Sequence, residues 1–233
     1  HVKESHHRID AVQVANYEKK VLGTSDVRVD MHLSPIHHHD LMQLSGTYGH
    51  RPTLPHDAGT EALGVITEVG SDVKHLAVGQ RIIATGGIGT WADEFVADAN
   101  SVVPLPDGIA DEIAAQLISM PFSALTLLRE LGVSSGDWLL YNAAGGAIGK
   151  LLATIGKAKG LKLIGLVHRD NLVEPTEKYG ADLIVSTAQD HWQEAVREKI
   201  GNEPILYALD SVGGELAGKM ADLLGYRGTF MTF

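Results

Sequence analysis

The sequence has no cysteine. That absence excludes disulfides, thiolate nucleophiles and cysteine-ligated zinc. It is compatible with a reducing compartment, and a cytoplasmic protein is expected. Positive charge is also scarce. Lys and Arg total 19 against 29 Asp and Glu, for a net charge of −10. The basic footprint of a nucleic-acid or anionic-membrane binder is therefore missing. No apolar run approaches the roughly 20 residues that span a bilayer. No charged n-region followed by an apolar h-region opens the chain. The expected partner is thus a small-molecule substrate, with no nucleic acid and no membrane. There is no repeat, low-complexity tract or charged tail. What is plentiful is glycine, 26 of 233 residues, above ordinary usage and suited to tight turns or close backbone–ligand contacts.

The two halves have different rhythms. Up to about Pro106, short β-rich runs at 27–33, 64–69, 80–84, 95–97 and 102–105 are punctuated by glycine and proline turns, one of them at Gly86 and Gly87. That pattern predicts an antiparallel barrel or sandwich-like unit. Helices are expected at 111–120 and 122–131, separated at Pro121 and stopped by Gly132. Strands are expected next at 138–142, 163–167, 183–186, 205–210 and 229–233. Helices are expected between them at 147–159, 174–179, 191–200 and 215–224. Alternating β and α with near-continuous apolar strands means a doubly wound parallel sheet. The expected domains are residues 1–119 and 120–233.

Between the first of those strands and its helix stands Ala143-Ala144-Gly145-Gly146-Ala147-Ile148-Gly149. Ala144, Gly146 and Gly149 fit an A-x-G-x-x-G variant of the dinucleotide fingerprint. Small residues are needed there because the turn is tight, the backbone approaches a pyrophosphate, and the helix packs closely on the strand. The helix N-terminus then offers N–H groups to the anion. The alternative is a structural glycine-rich turn, against which the strand–turn–helix context argues. The second strand runs into His168, Arg169 and Asp170. Arg169 stands where a cation meets a 2′-phosphate, with His168 assisting, and its planar fork suits that anion. NADP(H) is the expected cofactor; Asp170 keeps NAD open, and a solvated surface turn is the bland alternative.

Gly59-Thr60-Glu61-Ala62-Leu63-Gly64, then Val69-Gly70 and Val78-Gly79-Gln80-Arg81-Ile82, resemble the signature of the medium-chain dehydrogenase/reductases. The resemblance runs from about Val27 to Phe233. It implies an α/β protein: a GroES-like antiparallel β-barrel catalytic domain followed by a Rossmann domain. The zinc branch of that family needs a Cys and a His at positions that here look like His37 and Thr60. A catalytic zinc is thus not expected, and the cysteine-built structural zinc lobe is absent. The run His37-His38-His39 is not expected to bind metal, because neighbours on an extended segment point to opposite faces. Polar lining of the cleft or a hydrogen-bonded turn is expected instead.

Within the zinc-free branch, Ser45-Gly46-Thr47-Tyr48-Gly49 with Leu54-Pro55 resembles the segment carrying the catalytic Tyr of the 2-enoyl thioester reductases. Gly89-Thr90-Trp91 and Tyr141-Asn142-Ala143-Ala144 resemble motifs of the same subgroup. The implied activity is NADPH-dependent reduction of an activated C=C bond of a 2-enoyl thioester or α,β-unsaturated carbonyl. Tyr48 would donate a hydrogen bond or proton; the alternative for it is a loop aromatic packed over the cleft. His37, His39 and Asp40 are candidates for orienting substrate or Tyr48, and Asp40 is equally a turn residue or helix N-cap. Trp91 would wall the nicotinamide pocket or serve as core. Glu61 is expected to be structural, and residues 119–123 resemble the stretch bordering the nicotinamide. The competing activities are a quinone oxidoreductase of the same fold and a catalytically silent nucleotide-binding protein. The parallel sheet is expected to be C-terminally incomplete, with five strands where the family has six and an open edge. The resemblance implies a homodimer for full-length members, which the missing edge argues against for this chain.

Overall fold

In the computed structural model, residues 12–16, 18–86 and 89–233 are described. They form two compact units, bounded as His1–Ser119 and Met120–Phe233. Gly87, assigned above to a turn, lies outside the described residues.

The first unit is built on an antiparallel sheet. Strand β1 (Asp26–Leu33) pairs with β2 (Glu61–Val69) and with β4 (Glu94–Asp98). Strand β3 (Arg81–Thr85) pairs with β2 and with β5 (Val102–Pro104). The order is β4-β1-β2-β3-β5. β2 is the central strand and is buried over almost its whole first half. It therefore begins at Glu61, three residues before the apolar run that marks it in the sequence. Its core gathers Val27, Val29, Ala62, Ile66, Ile82, Ala84 and Phe95. Burial of the Val, Ile and Phe side chains among them stabilises by about 1.5–3 kcal/mol each. Buried Arg28 keeps its charge matched by Glu68 at 2.9 Å and Glu94 at 3.3 Å.

One helix of this unit was not expected. α1 (His38–Leu44) occupies a stretch that the sequence suggests is extended. It is short and polar, and its Leu44 packs with Ala58. A second correction concerns the helices after the sheet. α2 covers only Asp111–Ala114, and α3 runs unbroken over Ser119–Leu131. Pro121 does not separate two helices. It lies in the first turn of α3, where a missing N–H costs no intrahelical bond. The break falls earlier, between Ala114 and Ser119.

The second unit holds a parallel sheet of β6 (Trp138–Tyr141), β7 (Lys162–Val167), β8 (Leu183–Ser186), β9 (Ile205–Asp210) and β10 (Leu224–Thr232). The order β10-β9-β6-β7-β8 is the 3-2-1-4-5 arrangement of a doubly wound sheet. Its strands alternate with α4 (Ala147–Ala158), α5 (Val173–Glu177), α6 (Trp192–Ile200) and α7 (Gly214–Ala221). Two apolar clusters flank the sheet, one around Leu139, Leu152 and Leu163, the other around Leu140, Ile164 and Val196. β10 starts at Leu224, five residues before the expected strand. It pairs with β9 at Leu224 and again from Thr229, with a register shift between, where Arg227 has φ +64°. No helix among the described residues is long and apolar enough to cross a membrane.

Candidate functional site

The first unit concentrates its polar chemistry at the start of α1 and the start of β2. His37 precedes α1 with an extended backbone, and its N–H donates to Asp40 Oδ2 at 2.7 Å. Asp40 is thus the third residue of the helix, closing back on the cap, rather than the cap itself. At the other end Gly46 takes φ +72°. The N–H groups of Thr47 and Tyr48 then both donate to the carbonyl of Met42, at 2.9 and 3.2 Å. The chain folds back, and the Tyr48 ring comes to 5.9 Å from that of His39.

β2 reaches the same place through a constrained turn. Gly59 has φ +95°, and a Cβ there would lie 2.6 Å from the Trp91 backbone nitrogen. Only glycine lets the chain pass so close before delivering Thr60 and Glu61. Thr60 Oγ1 donates to Asp40 Oδ1 at 2.7 Å and lies 2.7 Å from His39 Nε2. Glu61, 0% exposed, has Oε2 2.6 Å from His37 Nε2. Its Oε1 accepts the N–H groups of Ile118 and Ser119 at 2.9 and 3.2 Å. Burial alone would push the Glu61 carboxyl up. The His37 bond and the two backbone N–H groups outweigh it, so the carboxyl lies below its ordinary range. Burial pushes the His39 imidazole below its ordinary value, against the attraction of Asp40.

His37 and His39 stack with ring centroids 5.1 Å apart, while His38 is exposed. A helical start, not an extended segment, lets alternate histidines meet. Among the described residues, no three or more His, Asp or Glu are arranged to hold a metal ion. Half-buried Trp91 packs on the cluster of Leu44 and Ala58 and donates to the Pro35 carbonyl at 3.2 Å.

In the second unit, β6 ends in a turn made of the expected small residues. Ala143 has φ +50°, and the Gly146 N–H donates to its carbonyl at 2.8 Å. Ala144 is fully buried, whereas Gly146 and Ala147 are exposed. A Cβ on Gly149 would stand 2.5 Å from the Ala143 oxygen and 2.6 Å from Ala144 Cα. Helix α4 can sit on the turn only because nothing is there. No side chain caps α4, and the first N–H groups of a helix have no intrahelical acceptor. Exposed backbone donors, a helix N-terminus and no Cβ in the way form a cradle that fits a pyrophosphate. Gly145 lines the same turn, and Ile148 turns inward to the apolar cluster. At the end of β7, Arg169 Nε donates to His168 Nε2 at 2.8 Å, and both side chains are exposed. Asp170 Oδ1 accepts from Gln189 Nε2 at 3.3 Å.

Asp210 is not singled out by the sequence, and Asn142 only as part of a motif. Asn142 Nδ2 donates to Asp210 Oδ1, and Asn142 Oδ1 accepts the Ser211 N–H at 2.9 Å. Asp210 also accepts the N–H groups of Val212 and Gly213 at 3.1 and 3.0 Å. Burial raises the Asp210 carboxyl, but those donors prevail and hold it below the ordinary range. The loop after β9 is thereby tied to the fingerprint turn. The signal available in the sequence was an acid at the carboxyl end of a parallel strand, where such sheets bind ligands.

Residues 23–107 match the family model for the alcohol dehydrogenase GroES-like domain. The chain is 31% identical to human mitochondrial enoyl-[acyl-carrier-protein] reductase, over 95% of this chain and 61% of that protein. It thus spans about three fifths of the length of that relative. A Bacillus thuringiensis crystal structure, provisionally assigned as an NADPH:quinone reductase, superposes with TM-score 0.92 at 32% identity, covering 99% of this chain and 70% of that one. Escherichia coli quinone oxidoreductase, solved in complex with NADPH, superposes with TM-score 0.90 at 27% identity, covering 99% and 71%.

Proposed function

We propose a reductase function for this chain, which belongs to the medium-chain dehydrogenase/reductase superfamily, in the branch of the enoyl reductases and quinone oxidoreductases. The first unit is the catalytic domain and the second the dinucleotide-binding domain. The turn from Ala143 through Ala144, Gly145, Gly146, Ala147 and Ile148 to Gly149 holds the pyrophosphate, and Arg169 with His168 takes a 2′-phosphate. The cofactor is NADP(H), as in the E. coli neighbour. The bound nicotinamide supplies a hydride, which is the cofactor's own chemistry.

The protein's part is to manage charge and a proton. In our reading the acceptor is an activated C=C bond of a 2-enoyl thioester or α,β-unsaturated carbonyl. Reduction at its β-carbon leaves an enolate, which needs a hydrogen-bond donor at oxygen and a proton at the α-carbon. A phenol is neutral at working pH and can donate, so Tyr48 takes this role. His37 and Asp40 hold the start of α1, and through it the loop bearing Tyr48. Trp91 packs on Leu44 at the end of α1. The observation that carries this reading is the Tyr48 ring lying 5.9 Å from His39, beside the Thr60–Asp40 pair.

The test is NADPH oxidation with a 2-enoyl-CoA and, in parallel, a simple quinone. Tyr48→Phe should lower kcat on the thioester by about 10²-fold or more while leaving NADPH affinity intact. Turnover of quinone alone would move the protein to that acceptor and demote Tyr48. NADPH binding without turnover of either would assign a silent nucleotide-binding role.

A further inference from the structure

The three consecutive histidines stand in three different environments. His37 has its Nε2 committed to the Glu61 carboxylate and is 7% exposed. His38 faces solvent. His39 lies between, its side chain 21% exposed, with one face toward the His37 ring and Tyr48 within ring-contact distance.

The hydrogen bonds around His39 fix its tautomer. Thr60 has a single hydroxyl proton, and it goes to Asp40 Oδ1. Thr60 Oγ1 must therefore accept the remaining bond, from His39 Nε2–H at 2.7 Å. Asp40 is held in turn, because its other oxygen accepts the His37 N–H. His39 thus keeps a proton on Nε2 and presents the Nδ1 lone pair. The second ring nitrogen of a histidine is commonly set by such a partner. The titratable groups acting on this imidazole are Asp40, His37, Glu61 and His38. Burial and the two neighbouring histidines favour its neutral form; Asp40 and Glu61 favour the charged one. The balance holds the imidazole below its ordinary value, toward the neutral form whose Nδ1 lone pair is free of the Thr60 bond.

We propose that His39 is the relay that returns a proton to Tyr48 after each turnover, taking it from solvent at Nδ1. This rests on Tyr48 being the proton donor of the proposed reaction. Tyr48 O–H gives its proton to the substrate α-carbon and is left as phenolate. Water protonates His39 Nδ1. The imidazolium Nδ1–H is then transferred to the phenolate, a stronger base than imidazole, while Nε2–H stays on Thr60 Oγ1, so the Nε2–H tautomer of His39 and the Tyr48 phenol are both restored. One solvent proton is consumed per hydride, and no electrons move in the reset. Asp40 lies 3.6 Å from His39 Nε2 and steadies the transient cation.

The experiment compares single-turnover and steady-state NADPH oxidation in the full chain and in His39→Gln. Glutamine keeps an N–H donor for Thr60 and removes the titratable Nδ1. The first turnover uses the proton already on Tyr48 and should stay within about twofold of the parent, whereas steady-state turnover should fall roughly tenfold or more. Exogenous imidazole should restore steady-state turnover in His39→Ala. Nitrogen-15 NMR of the unliganded chain should show His39 protonated on Nε2. The relay is overturned by unchanged steady-state turnover in His39→Gln, by single and multiple turnovers falling in step, or by an Nδ1–H tautomer. Tyr48→Phe separates the two levels. If that variant is unimpaired, the proton-donor role of Tyr48 has failed; if it is impaired and His39→Gln is not, only the relay has failed.

Discussion

Among the described residues, the buried polar side chains of the first unit are Arg28, His37, Asp40, Thr60, Glu61 and Thr90; those of the second are Asn142, Thr176, Ser186 and Asp210. In the first, four ionisable side chains are out of water, and each has a named partner from a distant part of the chain. In the second, the functional turn consists of residues with almost no side chain, and its chemistry lies in backbone N–H groups. One unit builds its site by satisfying charge, the other by removing Cβ atoms. The two methods fail differently. A charge network fails when one partner is lost, because the other is left buried and unpaired. A backbone cradle fails when anything is added.

The most costly probe of this contrast in stability is Glu61→Gln. It removes a buried carboxylate that accepts from His37 and two backbone N–H groups, so a loss of about 1.5–3 kcal/mol is expected from the denaturant midpoint. The same variant should change the acid response. The Glu61 carboxyl is held below its ordinary value in the folded chain. Its contribution is therefore present above the unfolded value and is lost as pH falls through the lower, folded one. The parent should lose stability along that acid limb, and Glu61→Gln should lose less of it. If both chains show the same limb, the carboxylate is not the group that titrates.

Gly149→Ala comes next. Alanine is the better helix former, by about 1 kcal/mol, but here its Cβ meets backbone at 2.5 and 2.6 Å. Crowding of that kind costs about 1–3 kcal/mol, so steric strain should outweigh propensity and NADPH binding should weaken. The smallest effect, with the opposite sign, is expected at Gly218. It lies inside α7, is exposed, and has nothing within 4 Å of a built Cβ. Gly218→Ala should raise stability by roughly 0.5–1 kcal/mol. A thermal melt of the pair distinguishes them, and equal signs would mean that the close approach at Gly149 is not what holds α4 to its turn.

The second unit was the more legible one. Strands β6 to β9 are short, largely buried apolar runs, and the fingerprint is local, so residues 143–149 could be located without knowing what packs on them. The doubly wound order followed from the alternation of strand and helix. The exceptions were contacts between segments far apart in sequence, such as Asn142 with Asp210. Pro121 misled because proline marks a helix end in most contexts, yet it is tolerated in a first turn. The first unit was harder to read. His37 to Asp40 has no periodicity long enough to predict α1, whose stability depends on its cap and on contacts with β2. Periodicity is a weak guide for so short a helix.

From its composition alone the chain could have no cysteine chemistry and carried excess negative charge. From its patterning came a strand-rich half, an alternating half and a glycine turn built for a phosphate, because those features depend on residues within a few positions of one another. The tertiary structure decided which of three adjacent histidines is sealed against Glu61, which is left to solvent, and which is set between Thr60 and Tyr48. It decided this because hydrogen-bond partners 20 or more residues apart, delivered by β2 to the start of α1, set what each ring meets.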